Sequence, residues 1–333
     1  MSRAFVTGAA GFAGSYLTEA LLVRGDEVCG LVQPGTSVAH LEAAQHGPNA
    51  ARLHLIEGDL LDPGGMLAAV QEWQPDHLYH LAGQASVRQS LEDPSETFRI
   101  NVLGTQHLLE AACRLANRPR VLLVSSADVY GASAEGGRAV TEQDPLLPLS
   151  PYGSSKAAAE WLGRRYANTS DLSLVLVRPF PHTGPRQTPQ FVFPSLARQL
   201  AEMRVGLRPL RLQVGNLEAR RDLGDVRDVA RAYIVALERG ESGAVYNICS
   251  GQTPSIREVL VYLMALVGTE IEIAVEPDRL RAADLEVLTG NDEAFRRRTA
   301  WTPEIPLAQT LQDLLAFWET RYRSLDAGVR HGG

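Results

Sequence analysis

Lysine is almost missing from this 333-residue chain: of 32 basic side chains, Lys156 is the only lysine, and arginine supplies the rest. Arginine replaces lysine easily as a surface cation, so such a bias leaves lysine where a compact ammonium is needed and a planar guanidinium does not substitute. Position 156 is therefore a candidate site before any motif is considered. Cysteine is scarce as well, with three in all. Cys29, Cys113 and Cys249 lie far apart in apolar stretches without metal-ligand spacing, which points to reduced core thiols and to no metal. No run approaches the ~20 apolar residues that cross a bilayer, so no membrane partner is expected. Basic clusters are also lacking in a chain of net charge -7, which argues against nucleic acid, whose phosphates need concentrated Lys and Arg. The first residues run from Ser2 straight into an apolar strand without a basic leader, so a cytoplasmic protein is expected. What remains is a globular chain long enough to bury a large core, with a small molecule as its expected partner.

The first half alternates short apolar runs with amphipathic stretches. Ala4 to Thr7, Glu27 to Val32, Leu53 to Glu57, His77 to Ala82 and Val121 to Ser125 read as strands. That rhythm implies right-handed crossovers and an α/β fold, a doubly wound parallel Rossmann sheet with helices on both faces. Leu172 to Arg178 and Ala244 to Ile248 have the same buried-strand character and extend the sheet. Segments rich in proline and arginine intervene. The expected division is a dinucleotide-binding domain of residues 1–180 plus about 222–250, with a smaller, discontinuous C-terminal α/β substrate domain of 181–221 plus 251–325.

Directly after the first strand comes Thr7-Gly8-Ala9-Ala10-Gly11-Phe12-Ala13-Gly14, followed by a helical run. In that context Gly8 permits the tight turn, Gly11 lets backbone approach a pyrophosphate, and Gly14 lets helix pack closely on strand. The helix N-terminus then faces the phosphates. Asp59, at the end of the third strand, is placed to meet an adenine, and Leu81-Ala82-Gly83 to line the cofactor channel. The end of the second strand reads Gln33-Pro34-Gly35-Thr36-Ser37, without a carboxylate for a ribose 2′-hydroxyl and without an arginine. An acid there would repel a 2′-phosphate, so its absence favours NADP(H), with Gln33, Thr36 and Ser37 as neutral donors. NAD(H) stays open.

Tyr152 and Lys156 stand four residues apart at the start of a helical segment, which stacks them on one face. Hydride transfer at an alcohol carbon requires a proton to move on or off the oxygen. An unassisted tyrosine with a pKa near ~10 is a poor base for that, and an adjacent ammonium stabilises the phenolate. Lys156 can also bind a nicotinamide ribose as a point charge. Ser126, at the end of the fifth strand, can donate a hydrogen bond to the substrate oxygen.

Together these residues resemble the extended branch of the short-chain dehydrogenase/reductase superfamily, the NAD-dependent epimerase/dehydratase family, whose members mostly act on nucleotide sugars. The resemblance spans nearly the whole chain. It is carried by the glycine stretch, His80-Leu81-Ala82, Asn101-Val102-Leu103-Gly104-Thr105, Ser125-Ser126-Ala127-Asp128-Val129-Tyr130-Gly131 and Pro151-Tyr152-Gly153-Ser154-Ser155-Lys156. Residues 178–185 and 214–222 are most similar to the GDP-4-keto-6-deoxy-mannose reductases, and the related dehydratases share the second stretch in part.

The resemblance implies a nucleotide-sugar oxidoreductase with Ser126, Tyr152 and Lys156 as its catalytic group, and with Phe12, Ala13, Leu60, Asn101 and Pro179 joining the cofactor site. It implies substrate contacts at Ser86, Ser126, His182, Arg186, Val214, Leu217, Arg221 and Arg281, the arginines for a diphosphate, and at Glu218 for the nucleoside. Asp128 stands where dehydratases carry a longer glutamate for removing a proton beside a transient ketone. Pro181 stands where the family has an asparagine on the substrate. An NADPH-dependent 4-keto reductase is the first expectation; a dehydratase or 4-epimerase with a recycled cofactor, and remotely a non-catalytic cofactor sensor, are the alternatives. Helices around residues 94–117 and 152–168 are expected to pair with a second copy in a homodimer.

Overall fold

All seven apolar runs become strands of one sheet: β1 (Arg3–Thr7), β2 (Glu27–Val32), β3 (Leu53–Glu57), β4 (His77–His80), β5 (Arg120–Val124), β6 (Leu174–Pro179) and β7 (Val245–Ile248). The computed structural model describes residues 1–277 and 285–330 of the chain. The strand order is β7-β6-β5-β4-β1-β2-β3, and every neighbouring pair is parallel. The winding reverses between β1 and β4, and in such sheets the crevice beyond the carboxyl ends at that point holds the ligand.

Among the described residues eight longer helices accompany the sheet: α1 (Phe12–Arg24), α2 (Pro63–Trp73), α3 (Gly104–Cys113), α4 (Pro151–Thr169), α5 (Val192–Arg204), α6 (Val226–Arg239), α7 (Ile256–Val267) and α8 (Leu307–Arg330). Strand side chains alternate between the two faces, as a pleat requires. Ala4, Val6, Tyr79, Leu122, Val124, Val175 and Val177 enter one core with Leu17 and Leu21 of α1 and Tyr233 and Leu237 of α6. Phe5, Leu78, Val121, Leu123, Leu174 and Leu176 enter the other, with Met66 and Val70 of α2, Leu108 and Leu109 of α3 and Tyr166 of α4. Both faces are apolar because both are covered, so the strands read as continuous hydrophobic runs instead of alternating ones. A second core lies outside the sheet, where α5, α7 and α8 bury Leu196, Leu200, Leu260, Leu263, Leu314 and Leu315 together. Among the described residues no helix is long and apolar enough to cross a membrane.

Strand ends shift by a residue or two from the sequence reading, and two differences have local reasons. β4 stops at His80, because the Ala82 amide turns back to the hydroxyl of Thr7 at 3.2 Å. The stretch around 94–117 is not one helix: Pro94–Phe98 passes through a widened turn, Arg99–Leu103, into α3. Widened turns of this kind gather at functional sites, and this one carries Asn101.

Candidate active site

The glycine turn has the shape its sequence demands. Gly8 takes the left-handed backbone (φ +72°), and a Cβ there would lie 3.0 Å from the backbone of Ala82. A Cβ on Gly14 would lie 2.0 Å from the carbonyl oxygen of Gly8, so α1 and β1 meet this closely only with glycine at 14. The Gly11 amide donates to Gly8 O at 3.0 Å. Gly11 caps α1 without a side chain, and no acid stands in the first turn. The opening amides of α1 are therefore free of competing carboxylates, which fits a pyrophosphate. Gly14→Ala must push this turn apart and is expected to weaken dinucleotide binding at least ~10-fold with an overpacking cost of about 1–3 kcal/mol; titration of the variant with NADPH by fluorescence, beside a thermal melt, checks it.

Gly83 completes the cradle. A Cβ there would meet Asn101 Oδ1 at 2.7 Å and approach Lys156 Nζ to 3.6 Å. Leu81 and Ala82 are half-buried beside it. Gln33, Thr36 and Ser37 are exposed at the end of β2, and Thr36 closes a turn onto Gln33 O. Asp59 is exposed and accepts from the Leu61 amide at 2.9 Å. Leu60 is buried against Gly104. Pro179 is buried at the end of β6, in register with Ile248.

Tyr152 and Lys156 share a face of α4 and Ser126 acts on the Tyr152 phenol, each of the three more than nine-tenths buried. Their placement has a local cause. Ser150 caps α4 by accepting from the Gly153 amide at 3.0 Å, and Pro151 occupies the first turn, which starts the helix just before Tyr152. Ser126 follows β5 and caps a single 3-10 turn, its Oγ accepting from Asp128 N and donating to Asp128 Oδ2, both at 3.2 Å. Burial pushes the Tyr152 phenol well above its usual range, the Asp128 carboxylate adds to that, and Ser126 opposes it. Burial pulls the Lys156 ammonium down to about 8, opposed by Glu160. Lys156 Nζ donates to Val124 O at 3.0 Å. The four-residue spacing led us to expect an ammonium that favours phenolate; burial and Asp128 instead favour the neutral phenol.

Asn101 ties these parts to the sheet. Its Oδ1 accepts from Gln84 N at 2.8 Å, and its Nδ2 donates to Gln84 O at 3.0 Å and to Ser155 Oγ at 2.9 Å. The side chain therefore orients the loop after β4 against α4. Behind it lies His80, a residue the sequence reading passed over except as part of a motif. Thr105 Oγ1 donates to Asn101 O, so it accepts from His80 Nε2 at 2.9 Å, and Nδ1 accepts from Thr7 Oγ1 at 2.8 Å. Burial, with Lys156 nearby, holds the His80 imidazole down to about 3.

The residues named for substrate contact scatter more widely. His182 stacks on Phe12 of the glycine turn, ring centroids 5.8 Å apart and 10° from parallel. Its Nδ1 donates to Phe180 O at 2.9 Å. Arg186 is drawn to α1, where it pairs with Glu19 at 2.9 Å, reaches Ser15 Oγ at 3.3 Å and lies 4.5 Å over the ring of Tyr16. Val214 and Leu217 are buried in the second core. Arg221 is half-buried and donates to Leu285 O at 2.8 Å. Ser86 caps the helix Val87–Glu92, and Glu218 is exposed with Arg257 as its ion-pair partner. Pro181 offers only its carbonyl, which accepts from the Gly224 amide at 2.9 Å. Arg281 lies outside the described residues. Reasoning from sequence also missed Glu160 and Arg178, a buried ion pair under the catalytic helix.

A parallel sheet of this order, with a glycine turn after β1 and a Tyr-x-x-x-Lys helix beside the end of β5, defines a nicotinamide-dependent short-chain dehydrogenase/reductase of the extended kind. The chain belongs to the GDP-mannose 4,6 dehydratase family, whose model matches residues 5–314. It is 39% identical to the GDP-6-deoxy-D-mannose reductase of Pseudomonas aeruginosa over 96% of this chain and 98% of that protein. The solved structure of RMD from Pseudomonas aeruginosa complexed with NADPH superposes with a TM-score of 0.82 at 37% identity, covering 96% of this chain and all (100%) of that one. The Thermus thermophilus UDP-glucose 4-epimerase in complex with NAD gives a TM-score of 0.82 at 30% identity, over 95% and 98% of the two chains.

Proposed function

We propose that the protein is an NADPH-dependent nucleotide-sugar reductase that converts the ketone of a GDP-4-keto-6-deoxy-mannose type of substrate to the alcohol. The observation that carries this reading is the Tyr152 phenol, buried beside Ser126, where burial and Asp128 add to a phenol's ordinary preference for its neutral form. Reduction of a ketone calls for an acid at this position, and a phenol in its neutral form is one. NADPH, when bound over the glycine turn, supplies the hydride. Ser126 Oγ donates a hydrogen bond to the carbonyl oxygen, where negative charge develops. Tyr152 delivers its proton to that oxygen. Lys156 holds the cofactor's ribose and, once the phenol has given up its proton, steadies the phenolate.

NADPH as the reductant is supported by the absence of an acid at the end of β2 and by the cofactor in the Pseudomonas aeruginosa structure. Asp128 beside Ser126 is the feature a dehydratase would use as its extra carboxylate, to remove a proton beside the ketone, and one experiment separates the two readings. Purified protein with the GDP-4-keto-6-deoxy sugar is expected to consume NADPH in proportion to product, with NADH at least ~10-fold poorer as judged by Kd, a difference of about 1.4 kcal/mol. Turnover of GDP-mannose without added cofactor, detected by mass spectrometry, would overturn it.

The same reading assigns residues 1–180 plus about 222–250 to the cofactor and 181–221 plus 251–325 to the nucleotide sugar. It also takes the enzyme to be a cytoplasmic homodimer. Exposed Leu91, Phe98, Leu103 and Trp161, on or beside the helices named for that contact, support the pairing.

A further inference from the structure

One turn beyond Lys156 on α4 stands a group that the mechanism above does not use. Glu160 is 1% exposed, and its partner across the core, Arg178 on β6, is also 1% exposed. Arg178 grips the carboxylate with two hydrogen bonds, Nε to Oε1 at 2.9 Å and Nη2 to Oε2 at 2.7 Å. Ser125 Oγ, next in sequence to Ser126, donates to Oε1 at 2.5 Å. The guanidinium continues to Tyr130 OH at 3.0 Å, and that hydroxyl donates to Asn247 Oδ1 at 2.6 Å. The carboxylate is thus fixed from α4, β5 and β6 at once.

As a staple alone this pair has no advantage, because apolar side chains of the same volume are buried at no greater cost. What a carboxylate adds, and a leucine does not, is a negative charge one helical turn from a buried ammonium. Resting on the assignment of the chemistry to Tyr152 and Lys156, we propose that Glu160, clamped by Arg178 and Ser125, is a positioning residue that keeps the Lys156 ammonium charged at working pH.

The other groups around the ammonium do not do this. On β4, His80 is neutral and faces Lys156 without a charge. On α4, Tyr152 is protonated, and Asp128, after β5, acts on that phenol. Arg178 on β6 is itself cationic and holds the far side of Glu160. Among the groups acting on Lys156, burial lowers its affinity for the proton and Glu160 offsets part of that loss.

The single lysine makes the test direct. Trace acetylation of the unliganded enzyme across pH, read by mass spectrometry at Lys156, reports the ionisation of that amine without substrate or cofactor. Glu160→Gln, and Glu160→Gln with Arg178→Met so that no unpaired charge is buried, are expected to lower the labelling midpoint by about one pH unit, roughly tenfold in the ionisation constant. The alkaline limb of kcat/KM with NADPH is expected to move down with it. Glu160→Asp keeps the charge and is expected to stay near the wild-type midpoint. An unmoved midpoint in the folded double variant, or a shift in Glu160→Asp as large as in Glu160→Gln, overturns the proposal. A midpoint that moves in an enzyme that reduces no keto sugar leaves it standing and overturns the assigned reaction instead.

Discussion

Replacing Tyr152 by Phe is expected to lower kcat by roughly 10²–10⁴-fold, the usual contribution of a positioned general acid, while NADPH affinity stays close to that of the wild type. The substitution deletes one oxygen from a ring that is otherwise packed, so the fold has no reason to change. The phenol carries a transferable proton at neutral pH, as an ordinary tyrosine does; burial and Asp128 add to that preference and Ser126 opposes it. Neither neighbour substitutes for it. Ser126 is an alcohol engaged with Asp128, and Lys156 donates into Val124 O. Stopped-flow measurement of NADPH oxidation with the keto sugar, alongside a fluorescence titration of NADPH, checks the two halves of the expectation separately. Turnover at the wild-type rate would remove Tyr152 as the proton donor.

Arg178→Met is expected to destabilise the chain by about 3–5 kcal/mol, since it leaves the Glu160 carboxylate buried without its partner. In a chain of this size that lowers Tm by roughly 5–10 °C. Burial alone would lower the pKa of Arg178, and its bonds to Glu160 more than reverse that, which shows how closely the two charges depend on each other. Adding Glu160→Gln is expected to recover most of the lost stability, because the amide carries no charge to strand. Differential scanning calorimetry of the two variants decides the matter. If the double variant is no more stable than Arg178→Met, the loss comes from packing around the guanidinium and not from an unpaired charge.

The parts of the site that were legible in sequence share one property: their geometry is local. Gly8, Gly11 and Gly14 are constrained by a turn that closes within a few residues. The relation of Tyr152 to Lys156 follows from helical spacing alone. The seven strands could be read because both faces of a parallel sheet are covered, which leaves apolar runs that a polar face would have interrupted. The surroundings of the expected substrate residues were not legible in this way. Arg186 meets Ser15, Tyr16 and Glu19, all on α1, contacts that its place in the sequence did not announce. An arginine's role depends on which acid it meets, and no spacing encodes a meeting between distant segments. His182 shows the same thing, since its stacking on Phe12 joins the glycine turn to a strand far along the chain.

By itself, then, the amino-acid order determined a doubly wound sheet, a dinucleotide turn at β1, and a tyrosine and a lone lysine on one helical face. These are consequences of period, of glycine's missing Cβ and of four-residue spacing. Tertiary structure alone decided how far the ionisation of those residues departs from its ordinary range. Burial and Asp128 push the phenol's pKa up, whereas burial pulls that of the ammonium down and Glu160 opposes the shift. Ionisation depends on solvent exclusion and on charges brought in from other strands, and those exist only once the chain has closed around them.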